Sequence, residues 1–68
     1  MSNAAELSSL VTALEEISRR VTTIADSYAA QRREDLATQL YAAERQLVNA
    51  VRRLGKAAEA DAASPAGP

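Results

Sequence analysis

Two apolar seams of opposite step order constrain this chain more than any other feature of it. From Leu7 the first seam reads Leu7, Leu10, Leu14, Ile17, Val21, Ile24, Tyr28, in steps of 3-4-3-4-3-4. The second reads Leu36, Leu40, Ala43, Leu47, Ala50, Leu54, Ala57, in steps of 4-3-4-3-4-3. Each is a heptad stripe on one face of a helix. Leu7 takes an a position and Leu10 a d; in the second seam Leu36 is d and Leu40 is a. Because the second order reverses the first, residues whose numbers sum to 64 match along both seams. The layers are Tyr28/Leu36, Ile24/Leu40, Val21/Ala43, Ile17/Leu47, Leu14/Ala50, Leu10/Leu54 and Leu7/Ala57. Each joins an a to a d, as antiparallel packing of two helices requires.

The expected fold is therefore all-α, an antiparallel two-helix hairpin of coiled-coil type. Asn3 is a candidate N-cap, with Glu6 placed to complete a capping box. The first helix is expected over about 4–29, the turn over about 30–34 and the second helix over about 35–60. Glu15–Arg19 and Glu16–Arg20 are i,i+4 pairs in the favourable order. Glu34 and Asp35 suit the start of a helix, and Arg52, Arg53 and Lys56 suit a helix end. Gly55 weakens the last turns. Residues 61–68 read as a disordered Ala/Pro/Gly tail.

Three layers set alanine against leucine or valine, which lets helices approach closely without voids. Alanine at 43, 50 and 57 resembles the close-packed antiparallel arrangement called an Alacoil. The resemblance concerns packing geometry alone and implies no function. The stretch from Ala29 to Asp35 holds neither glycine nor proline, so a second architecture also satisfies the mirror. In it, one helix of about sixty residues pairs with a second copy about Arg32. That form would bring Arg32 near its own symmetry mate and force a phase shift over 28–36, so the hairpin is the reading adopted.

A chain of 68 residues has little interior, and its stability needs help from disulfides, a metal or association. Cysteine and histidine are absent, leaving association. The seam's flanks differ in character. The g side (Ala13, Arg20, Ser27, Gln39, Gln46, Arg53) is mostly polar. The e side and the adjoining b positions of the second helix form an apolar stripe, for which Val11, Ala25, Ala37, Tyr41, Glu44, Val48 and Val51 are the candidate dimer or partner interface. Pairing two hairpins through it would make a four-helix bundle homodimer. Glu44 within it reads either as a rim carboxylate or as a register-setting partner for an arginine.

No nucleophile–base combination and no phosphate-binding glycine loop occurs, so an enzyme is not expected. Glu15/Glu16 and Glu34/Asp35 are adjacent pairs that diverge by about 100° on a helix, and neither reads as an acid–base or metal pair. No cofactor or metal is expected. Arg45, Arg52, Arg53 and Lys56 form a candidate basic docking surface on the second helix, for an acidic protein or a phosphate backbone. With a net charge of −1 and no aromatic stacking residue beside them, nucleic acid is the weaker option. No apolar run is long enough to span a bilayer and no secretory signal pattern opens the chain, so the cytoplasm is the expected compartment. The expected function is a non-enzymatic protein–protein interaction module, a self-associating adaptor, scaffold or accessory subunit. The alternative is a regulatory subunit whose stripe binds a helix of a different protein.

Overall fold

A computed structural model describes residues 2–63 and shows two helices, α1 (Ala4–Ala30) and α2 (Glu34–Ala63), packed antiparallel as a hairpin. The turn is three residues long. Gln31 ends α1, Arg32 takes a left-handed conformation at φ 61°, and Arg33 leads into α2. The amide of Arg33 donates to the carbonyl of Tyr28 at 2.8 Å, and that of Arg32 to Ala29 at 3.1 Å. These are the 6→1 and 5→2 bonds of a Schellman motif, which satisfies the last carbonyls of α1. Ala37 then donates to the carbonyl of Arg33 at 3.0 Å, opening α2 without a break. An arginine thus does what glycine usually does, which is why the turn carries no glycine or proline marker.

Arg33 Nε also donates to Oδ1 of Asp35 at 3.4 Å. That contact, followed by the Leu36 amide, holds the Asp35 carboxyl below its ordinary value. On α1 the expected i,i+4 pairs give way to an i,i+3 pair between Arg19 and Glu16.

The far end of the hairpin differs from expectation in two ways. The side chain of Asn3 makes no capping hydrogen bond, so the capping box with Glu6 is not formed. Instead Oδ2 of Asp61 accepts from the amide of Asn3 at 2.6 Å and from Oγ of Ser2 at 3.1 Å. Ser2 Oγ in turn accepts from the amide of Ala4 at 3.0 Å. A carboxylate from the end of α2 thereby caps the positive end of α1. Of the tail expected over 61–68, residues 61–63 belong to α2, and 64–68 lie outside the described residues.

The helices meet on a face rotated from the expected one. Among the described residues the buried ones are Ala25 (0% exposed), Ala37 (4%) and Ala58 (7%), all at e positions. Ala4, Val11, Ser18, Glu44 and Val51 continue those e rows as half-buried residues, beside the half-buried a rows Leu7, Leu14, Val21, Tyr28 and Leu40, Leu47, Leu54. The d residues Leu10 (47%), Ile17 (44%) and Ile24 (50%) are exposed. The packed face is thus a/e rather than a/d, a rotation of each helix by about 50°. The physical reason lies in side-chain size. The e row of α1, Ala4, Val11, Ser18 and Ala25, lets the second backbone come closer than the Leu and Ile of its d row would. The alanines expected to line the seam do so only in part: Ala43 and Ala50 on the d row are half-buried and Ala57 is exposed.

Candidate functional site

Three surfaces of the hairpin could meet another molecule, and helix geometry fixes each. The first is the a/d face. Its outer row on α1 is Leu10, Ile17 and Ile24, one residue per two turns, all large and exposed. Beside it runs the d row of α2, Leu36, Ala43, Ala50 and Ala57, small except at the turn end. Between them lie the half-buried a residues of both helices. A ridge of branched side chains therefore runs alongside a shallow row of alanines, and no charged residue interrupts either row.

The second surface is the opposite flank, where the b residues sit outside the e seam. Near the open end of the hairpin it forms a groove lined by Ser8, Val11 and Thr12 of α1 and by Gly55, Ala58 and Glu59 of α2. A Cβ at Gly55 would meet nothing within 4 Å, so this groove is open at its floor. A smaller hollow follows between Glu15, Ser18, Arg19, Val48 and Val51. Towards the turn, the hydroxyl of Tyr41 donates to Oδ1 of Asp26 across the two helices. That bond, with partial burial and the negative charge of Asp26, pushes the Tyr41 phenol above its ordinary value.

The stripe expected to meet a partner lies on and beside this flank, and most of it is consumed within the hairpin. Ala25 and Ala37 are buried in the hairpin's own seam. Val11, Tyr41, Glu44 and Val51 are half-buried at its edge, and Tyr41 is engaged with Asp26. Val48, at 38%, is the one member counted among the exposed large apolar residues. The residues that sequence reasoning placed inside the seam and the structure leaves exposed are Leu10, Ile17 and Ile24 on α1 and Ala57 on α2. The signal that could have found them is the heptad row of small residues at 4, 11, 18 and 25, which marks the side of close approach.

The third surface is the outer side of α2. Arg45, Arg52, Arg53 and Lys56 are all exposed, and none enters an ion pair among the described residues. Arg52 donates to Oδ1 of Asn49 at 3.3 Å. The four side chains occupy f, g and c positions and spread over an arc of the helix. No helix among the described residues is long and apolar enough to cross a membrane. No family model matches the chain, and neither a curated protein nor a solved structure does.

Proposed function

We propose that this chain is a non-enzymatic interaction module, a helical hairpin that associates with a second copy of itself and acts as an adaptor, scaffold or accessory subunit. The observation that carries the reading is the row Leu10, Ile17 and Ile24, each 44–50% exposed in the hairpin. Single exposed apolar residues need no explanation, but three large ones in register on one helix form a patch. The hairpin meanwhile buries no side chain larger than alanine among the described residues. A two-helix unit of this size gains a real interior by covering that patch.

Sedimentation equilibrium on the full chain tests this. The reading expects a mass of twice 7.2 kDa at micromolar concentration, with helical circular dichroism rising alongside association. A well-folded species of 7.2 kDa at all concentrations would contradict it.

A second reading rests on the basic residues of α2. Arg45, Arg52, Arg53 and Lys56 are exposed and enter no ion pair among the described residues, which suits docking on an acidic protein. Binding to such a partner would weaken steeply with salt.

A further inference from the structure

We infer that the second copy covers the a/d face about a two-fold axis parallel to the helices. The Leu10/Ile17/Ile24 ridge of each copy then lies on the Ala43/Ala50/Ala57 row of the other. This rests on the self-association proposed above and deepens it by naming the surface and the symmetry.

Three observations support the geometry. The first is register. The Asn3–Asp61 bond at one end and the left-handed Arg32 at the other both obey the sum of 64, and the Tyr41–Asp26 bond between them sums to 67. The hairpin therefore keeps the levels of the mirrored layers to within about one helical turn, even though its own contact is a/e. In a four-helix bundle each helix uses a/e towards one neighbour and d/g towards the other, with a and d pointing inward. Two copies then contribute the same pair to every layer. The Ile17/Leu47 layer gains a second Ile17 and Leu47, and the Val21/Ala43 layer a second Val21 and Ala43. Larger and smaller layers alternate along much of the bundle, which is how a close-packed core is filled.

The second observation is shape. The ridge and the alanine row lie side by side on one face. A two-fold axis along the helices places ridge over alanines, with Ile17 at the level between Ala43 and Ala50 of the second copy. An axis across the helices would instead set ridge against ridge and leave the alanines facing each other.

The third is area. Helices of 27 and 30 residues, about 40 Å long and about 9 Å apart, present a face of roughly 700 Å². A stable dimer covers about 800 Å² per partner. The face and a second copy of itself are therefore matched in extent.

The native chain lacks cysteine, so single thiols report cleanly. The experiment compares maleimide labelling of Ile17→Cys and Val48→Cys, both partly exposed in the hairpin, after sedimentation has established the mass of each variant. In a dimer, the thiol at 17 is expected to react at least tenfold more slowly than the thiol at 48. Dilution below the dissociation constant should erase the difference. A dimer in which 17 reacts freely and 48 is protected would overturn the assigned face while leaving self-association intact. A monomeric wild-type chain would instead overturn the underlying reading. Spin labels on Gln31→Cys then report the axis. Turns at the same end give an inter-copy distance of about 20–25 Å, whereas turns at opposite ends give about 40 Å or more and would overturn the parallel axis.

Discussion

The amide of Asn3 donates to Oδ2 of Asp61 across 2.6 Å, tying the start of α1 to the end of α2. A helix N-terminus leaves amides unsatisfied and carries partial positive charge, and a carboxylate there meets both needs. The end of α2 carries partial negative charge, so Asp61 is badly placed for its own helix. It is well placed for the neighbouring one. Asp61→Ala is expected to cost about 1 kcal/mol of stability, the usual scale for a lost cap. Urea denaturation gives the cost, and amide exchange should show faster opening confined to the first turn of α1.

Arg32 holds the turn at φ 61°, a conformation that costs an L-residue about 1–2 kcal/mol. Glycine pays less there, so Arg32→Gly should raise the thermal midpoint, by about 1 kcal/mol in stability terms. Arg32→Val, branched at Cβ, should lower it. Thermal melts of the two variants against the native chain check the sign of each change.

At Gly55 the helix interior carries a residue with poor helix propensity and no steric reason for it, because an added Cβ meets nothing within 4 Å. Gly55→Ala should therefore stabilise the hairpin by about 0.5–1 kcal/mol. A neutral or destabilising result in chemical denaturation would mean that the groove floor is occupied by something packed on it.

The seam alanines respond in the opposite sense. Ala25 is fully buried where the helices approach, so Ala25→Leu forces the backbones apart and should cost about 1–3 kcal/mol. The same exchange on an ordinary a/d hairpin would bring a better-filled core. Denaturation midpoints decide which packing the chain uses.

The pH dependence follows from Tyr41. Its hydrogen bond to Asp26, its partial burial and the nearby charge raise the phenol above the ordinary value of 10.0. The folded state therefore holds that proton more tightly than the unfolded chain does. The contribution is present in full below pH 10 and is lost as pH rises through the raised value. Ultraviolet titration of a Tyr28→Phe background isolates Tyr41, and Asp26→Ala should move its ionisation downward.

The two helices and their antiparallel pairing were legible in the sequence, because heptad spacing and its reversal are carried by large residues such as Leu14, Ile17 and Leu47. The rotation of each helix was not. Apolar or small residues occupy a, d and e alike, so periodicity locates a broad stripe without saying which edge of it meets the neighbour. That choice turns on backbone approach, which favoured Ala25, Ala37 and Ala58 over Ile17 and Ile24. The Asp61 cap was hidden for a different reason: it joins residues 58 apart in sequence, and no local pattern announces it.

The most direct test of the whole account is an isotope-filtered NOE experiment on a mixture of labelled and unlabelled chains. If the a/e seam closes each hairpin and the a/d face joins two of them, intermolecular NOEs will reach the methyls of Ile17 and Ile24. Those of Val48 will show none. Intermolecular NOEs at Val48 with none at Ile17 and Ile24, or none anywhere, would contradict it.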